Sequence, residues 1–186
     1  MTDRYGVLGF PIAHSKSPLI HSLFAAQTGQ NITYGQLQLP INGFVSGLKQ
    51  LIAEGWQGAN VSLPFKTEAF GVANVLTARA QAAQAVNTLT FMNGLIYGDN
   101  TDGAGLIADL TGSLLYPLQK KRVLIIGAGG AARGVIQPLI DAGVAQLIIT
   151  NRTYEKSAAL AKFFQVDALA LHECVNSFDL VINATS

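Results

Sequence analysis

The stretch RVLIIGAGGAARGVIQPLIDAG, residues 122–143, constrains this chain more than any other. An apolar, β-branched run stops at Gly127-Ala128-Gly129-Gly130-Ala131 and passes directly into a helical pattern. The spacing fits the G-x-G-x-x-G/A fingerprint of a dinucleotide-binding turn, with Ala132 in the third slot. Gly127 permits the tight turn. Gly129 lets the backbone approach a pyrophosphate, whose charge then faces the helix N-terminus. The alternative is an ordinary glycine turn that only packs helix on strand. Downstream come AQLIITN as a strand, TYEKSAALAKFF as a helix, and short strands near Val166–Leu169 and Asp179–Asn183. This βαβαβ order predicts a parallel sheet with helices on its faces. Such sheets usually have six strands, and about four are counted before the sequence stops at NATS, so the chain is expected to be cut short.

The end of the second strand speaks to the cofactor. A site for NAD normally places Asp or Glu there, to bond the ribose 2′-hydroxyl. This chain has Asn151-Arg152-Thr153, with Lys156 close behind. No carboxylate repels a 2′-phosphate, and a guanidinium is available to bind one, so NADP is expected over NAD. The competing reading has Thr153 capping its helix while Arg152 lies in solvent.

The first hundred residues also alternate. Strands are expected near Tyr5–Gly9, Tyr34–Leu39, Gly58–Ser62 and Val86–Met92, with helices over Pro18–Thr28, Ile41–Glu54, the turn after Pro64, and Thr77–Gln84. Asn93-Gly94 between LTFM and LIYG is a tight-hairpin signal. A helix near Thr101–Leu115 follows GDNTDG, and the polar break YPLQKKR then reads as a border. Two domains are expected, 1–101 for substrate and 102–186 for nucleotide. The fold class is therefore α/β: an N-terminal α/β substrate domain plus a Rossmann-like nucleotide domain, incomplete at its C-terminus.

Polar clusters stand at the ends of these apolar elements: HSKS (His14–Ser17), NVSLPFK (Asn60–Lys66), VNT (Val86–Thr88) and GDNTDG (Gly98–Gly103). Pro18 suits a first helical turn and makes Ser17 a natural N-cap, while the extra hydroxyl and amine nearby suit an anion. Each cluster also has a local explanation. Asn87 could merely satisfy backbone, and Asp102 suits the first turn of the helix it opens. Lys66 falls in the first turn after Pro64, where a cation opposes the helix dipole. A lysine in such a setting suits proton transfer, the alternative being an exposed head that escapes into water.

Composition narrows the function classes. The chain is 49% hydrophobic and 12% charged with a net charge of +1, which predicts a real core and gives no electrostatic case for nucleic acid or an anionic membrane. Met1–Phe10 carries Asp3 and Arg4 and lacks a signal-peptide core, and VLIIGAGGAA is too short to span a bilayer. Cys174 is alone, and His14, His21 and His172 lack metal-ligand spacing with it, so neither a disulfide nor a metal is expected. A cytoplasmic protein is the economical expectation.

Taken in order, AHSKSP, NVSLPFK, AVNT, GDNTDG, GAGGAAR, NRT and terminal NATS resemble bacterial shikimate dehydrogenase along the whole chain. The resemblance implies reduction of 3-dehydroshikimate to shikimate with NADP(H), in aromatic amino-acid biosynthesis. It implies that Ser15 and Ser17 hold the substrate carboxylate. Asn60, Ser62, Asn87 and Asp102 would bind ring hydroxyls, with Lys66 and Asp102 as the catalytic pair. Gly127, Ala128, Gly129, Gly130, Ala131, Asn151, Arg152, Thr153 and Lys156 would serve the cofactor. The family often has Thr at the position of Ser62 and Arg at that of Lys156; the second change keeps charge but loses bidentate geometry. Members continue beyond NATS through further strands and helices, including a Gln near the substrate. Two rivals stay open: a non-catalytic NADP- or metabolite-binding module, and a quinate/shikimate dehydrogenase using NAD. A monomer or a homodimer is compatible with the sequence.

Overall fold

The computed structural model describes residues 2–175 and 177–185, which leaves Ser186 of the NATS motif outside it. The chain divides into two compact units, Met1–Asn100 and Thr101–Ser186. The first contains β1 (Asp3–Gly9), α1 (Ser17–Thr28), β2 (Ile32–Gln38), α2 (Phe44–Ala53), β3 (Gly58–Val61), α3 (Lys66–Val72), β4 (Val75–Leu76), α4 (Ala78–Ala83), β5 (Thr88–Met92) and β6 (Leu95–Asp99). Its sheet order is β2-β1-β3-β5-β6-β4. Only β5 runs against its neighbours. The carboxyl ends of β1, β3 and β6 therefore share an edge with the amino end of β5. Asn93 and Gly94 both take positive φ, the turn that joins β5 to β6.

Alternation sorts the strand side chains by face. Leu8, Ala59 and Val61 point into a core with Phe44, Leu48, Phe65 and Leu89. Phe44 and Phe65 stack there with ring centroids 5.0 Å apart. Tyr34, Gln36 and Asn60 stand on the opposite face, by the same alternation and register.

The second unit contains α5 (Asp102–Ala108), a widened π-type turn Asp109–Ser113, β7 (Arg122–Ile126), α6 (Gly130–Asp141), β8 (Gln146–Thr150), α7 (Tyr154–Phe164), β9 (Asp167–Ala168), a 3₁₀ turn Leu171–Glu173, and β10 (Leu180–Asn183). All four strands are parallel, in the order β10-β7-β8-β9. Strand order thus reverses between β7 and β10, which is a topological switch point. Val123, Ile125, Ile136, Leu139 and Ile149 are buried at its core.

Several sequence expectations shift. The helix expected from Ile41 starts at Phe44, because Gly43 N–H turns back to Pro40 O and leaves Ile41 exposed. The single helix expected over Thr101–Leu115 ends its α part at Ala108. The widened turn brings Leu110 into the core, and Leu115 breaks off at φ 51°. The two-residue strand β4 was too short to show alternation. YPLQKKR is not a border: Leu118 is buried within the second unit, and Tyr116 Oη donates to Asp179 O at 2.8 Å.

Two stability predictions follow from local accounts. Thr150 Oγ1, at the end of β8, is buried and has no hydrogen-bond partner among the described residues. An unsatisfied buried hydroxyl costs about 1–3 kcal/mol, so Thr150→Val should raise stability by about 1 kcal/mol, read by urea unfolding. At the end of β6, Arg79 grips Asp99 with Nε and Nη2, and Thr77 Oγ1 adds a bond at 2.6 Å. The guanidinium, helped by Thr77 and the Asn100 N–H, holds the Asp99 carboxyl down at about 2 from its ordinary 3.8, against a burial effect that raises it. A depressed carboxylate contributes stability that is complete above the ordinary value and fades as pH falls through about 2. Arg79→Met should therefore be less stable than the parent above pH ~4, with the gap closing toward pH ~2 in urea titrations.

Candidate active site

The polar motifs of the first unit converge because parallel strands deliver their ends to one edge. After β1, Ser15 N–H bonds Ile12 O and turns the chain toward α1. The N-cap position of α1 belongs to Lys16, and Ser17 is its first helical residue, so Ser17 does not cap as the sequence suggested. Ser15 takes part of that duty, since its Oγ accepts from Ser17 N–H at 3.2 Å. The helix begins one residue early because Ser15, two residues back, already satisfies that orphan donor. Ser15 Oγ also donates to Ser17 Oγ at 3.1 Å, and Gln36 Nε2 donates to Ser15 O at 2.7 Å. Both serines are half-buried, as a binding hydroxyl must be to meet a ligand from one side.

Asn60 stands on β3, two strands across from Tyr34 of β2. Tyr34 Oη donates to Asn60 Oδ1 at 2.7 Å, and Asn60 Nδ2 reaches Asn87 O at 3.4 Å and Thr88 Oγ1 at 3.3 Å. Thr88 Oγ1 in turn donates to Asn87 Oδ1 at 2.8 Å. His21 stacks on the Tyr34 ring with centroids 4.0 Å apart, and its Nδ1 lies 2.9 Å from Ser17 O. Asn60 and Asn87 thus belong to one hydrogen-bonded set, Ser15 and Ser17 bond each other, and His21 touches both groups, four of the residues singled out from sequence being involved. Ser62 follows β3 directly, with its N–H on Leu8 O. Its carbonyl accepts from Phe65 N–H, the turn that starts α3 at Lys66. Lys66 is half-buried and its carbonyl holds Val86 N–H at 2.8 Å, tying the lysine's backbone to the segment that carries Asn87.

These bonds also involve Tyr34, Thr88 and Gln36, which the sequence did not nominate. Thr88 lay inside the quoted VNT motif with no role attached. Tyr34 and Gln36 alternate within ITYGQLQ like any half-buried strand, and their partners come from motifs far away in sequence. No local signal identifies them.

Asp102 belongs to the second unit, where it is the first residue of α5. Gly103 beside it is buried, and a Cβ there would strike Gly134 O and Pro138 of α6. Glycine at this position thus lets α5 lie close on α6 and fixes where the Asp102 backbone sits. In the glycine loop, Gly127 has φ +121°, and an added Cβ would sit 2.6 Å from Ala184 O. Only glycine fits that position. Gly129 is the N-cap of α6, is exposed, and has open space where a Cβ would project. Ala132 is fully buried, as close helix–strand packing requires. Ala128, Gly130 and Ala131 are half-buried along the same turn. The loop presents backbone N–H groups at a helix N-terminus, beside the switch point, which suits a pyrophosphate. Past β8, Asn151 Nδ2 donates to Thr153 O at 3.0 Å. Thr153 holds the N-cap position of α7 without a side-chain cap bond, so the purely structural reading of that residue loses its support. Arg152, Thr153 and Lys156 are exposed, and no carboxylate lies among residues 151–153. These groups fit a ribose 2′-phosphate. Among the described residues no His, Cys, Asp and Glu cluster could hold a metal, and no helix is long and apolar enough to cross a membrane.

Comparison with known proteins agrees with both halves. Residues 7–89 match the family described as shikimate dehydrogenase substrate binding domain, and residues 109–186 match shikimate / quinate 5-dehydrogenase. The protein from Methylobacillus flagellatus named shikimate dehydrogenase (NADP(+)) is 51% identical, over 99% of this chain and 70% of its own length. Its counterpart of the same name from Chromobacterium violaceum is also 51% identical, over all of this chain and 70% of itself. The crystal structure of shikimate 5-dehydrogenase from Thermus thermophilus in complex with NADP(H) and shikimate superposes with a TM-score of 0.89 at 33% identity, covering 99% of this chain and 69% of that one.

Proposed function

We propose that this chain, which belongs to the shikimate dehydrogenase family, is an oxidoreductase that interconverts 3-dehydroshikimate and shikimate with NADP(H). The observation that supports the reading is that the bonded pair Ser15–Ser17 and the bonded set of Asn60 and Asn87 are both contacted through His21 and Tyr34, on a chain that also holds a glycine turn at a switch point. Shikimate is a ring with a carboxylate at one end and hydroxyls at the other. Two serine hydroxyls suit the acceptor-only carboxylate, and amides, which both donate and accept, suit hydroxyls.

Ser15 and Ser17 take the carboxylate and fix the ring's orientation at a distance from the reacting carbon, so that remote contacts position the chemistry. Asn60, Ser62 and Asn87 hold ring hydroxyls. NADPH, when bound, supplies the hydride that reduces the ketone carbon. As charge grows on the ketone oxygen, Lys66 Nζ donates the proton that completes the alcohol, and in the reverse direction it takes that proton back as the hydride leaves. Asp102 orients the hydroxyl at the same centre and acts with Lys66 as a pair. Gly127, Ala128, Gly129, Gly130 and Ala131 cradle the pyrophosphate, while Asn151, Arg152, Thr153 and Lys156 take the adenosine ribose and its 2′-phosphate. Arg152 supplies planar donors for that phosphate, and Lys156 supplies a point charge.

Steady-state oxidation of NADPH by 3-dehydroshikimate tests the reading, since a module that only binds shows no turnover. Lys66→Ala should lower kcat by about 10²–10⁴ while changing the substrate KM much less. An unchanged kcat removes Lys66 from the chemistry. Arg152→Ala should raise the KM for NADPH about tenfold and leave that for NADH nearly unaltered, because only the phosphate contact is lost.

A further inference from the structure

Two neighbouring hydroxyls can each donate to one carboxylate oxygen only when they stand at the right spacing. Bonds inside the segment that carries Ser15 and Ser17 set its shape: Ser15 N–H to Ile12 O at 2.9 Å, Ser17 N–H to Ser15 Oγ at 3.2 Å, and the two hydroxyls 3.1 Å apart. These bonds do not tie the segment to the sheet. Two further contacts do, and both end on the backbone carbonyls of the same serines.

Gln36 Nε2 donates to Ser15 O at 2.7 Å and to Ala13 O at 3.4 Å. A carboxamide nitrogen has two hydrogens, one for each carbonyl, so the amide stands with its nitrogen toward the segment. His21 Nδ1 lies 2.9 Å from Ser17 O. A carbonyl oxygen only accepts, so the His21 proton is on Nδ1. The imidazole in turn is seated on β2. It stacks on the Tyr34 ring with centroids 4.0 Å apart and 10° between planes, and Phe24 meets it edge-on at 6.0 Å. Tyr34 and Gln36 are alternate residues of β2 and share a face. One face of one strand therefore reaches both serines, directly through Gln36 and by way of the stacked His21.

We propose that Gln36 and His21 are positioning residues that hold the Ser15 and Ser17 hydroxyls at the spacing of a carboxylate, with Tyr34 as the seat of the imidazole. This inference rests on the shikimate reading above. Neither side chain has to touch the ligand. Removing the Gln36 donor releases the Ser15 carbonyl from β2, and removing the His21 donor releases that of Ser17. Either change lets one hydroxyl drift from the other. A carboxylate then loses more than a neutral ester does, because hydrogen bonds to a charged acceptor are about twice as strong as neutral ones.

Titrations with shikimate and with its methyl ester, followed by NMR, test this in the parent chain, Gln36→Met and His21→Phe. Methionine keeps the length of the exposed Gln36 without its donor, and phenylalanine keeps a ring on Tyr34 without the Nδ1–H. Each variant should weaken shikimate binding about fivefold and ester binding less than about twofold. An unchanged shikimate dissociation constant in either variant, or equal losses for the two ligands, would overturn the proposal. Absence of shikimate binding in the parent chain instead overturns the functional reading beneath it. A second measurement needs no variant. Nitrogen NMR of the parent chain at pH ~8, where an imidazole is ordinarily neutral, should find the His21 proton on Nδ1, and a proton on Nε2 sinks the clamp.

Discussion

Parallel strand direction is the constraint on which the rest of this structure depends. Crossover connections return each strand of β1, β2 and β3 in the same sense, so their carboxyl ends and the loops that follow lie along one edge. The antiparallel β5 brings its amino end, and with it Asn87, to that edge as well. Polar motifs separated by tens of residues thereby become neighbours with no need for any long loop. Deep in the sheet the same chain is almost entirely apolar, and Leu8, Val61, Phe65 and Leu89 hold the edge rigid from behind.

The gathered polar groups then satisfy one another before any ligand arrives. Tyr34, Asn60, Thr88 and Asn87 share their donors and acceptors in one set, Ser15 and Ser17 bond each other, and His21 stacks on Tyr34 while reaching Ser17 O. Half-buried polar groups without partners would carry a desolvation cost, and the network removes it. Its members are also held at fixed angles, which is the preorganisation a small rigid ring needs to be bound in one orientation.

The second unit solves a different electrostatic problem with backbone alone. Gly127 admits the close pass of Ala184, Ala132 lets α6 sit on the sheet, and the helix start then offers N–H groups beside the switch point. No side-chain charge is needed for a pyrophosphate there. Past β8 the exposed cationic side chains of Arg152 and Lys156 follow. The two halves thus offer opposite kinds of group: side-chain hydroxyls and amides in one, main-chain dipoles in the other.

The glycine turn, the parallel nucleotide sheet, the β5–β6 hairpin and the motifs carrying Ser15, Ser17, Asn60, Lys66 and Asn87 could all be read from the sequence. Each is written in local spacing or in an adjacent run of residues, which is where backbone conformation is decided. Helix ends are less legible: the spacing suggests Ser17 as a cap although Ser15 serves it, and the helix after Asp102 widens before Leu115. Those ends depend on competing bonds that propensity does not record. Tyr34 and Thr88 could not be assigned at all, because what matters about them is a partner on another strand. Sequence by itself determined which chemical groups this protein carries and on which kind of element each one rides. Only the tertiary structure decided which of them touch, since the hydrogen bond between Tyr34 and Asn60 exists solely through the order in which the strands pack.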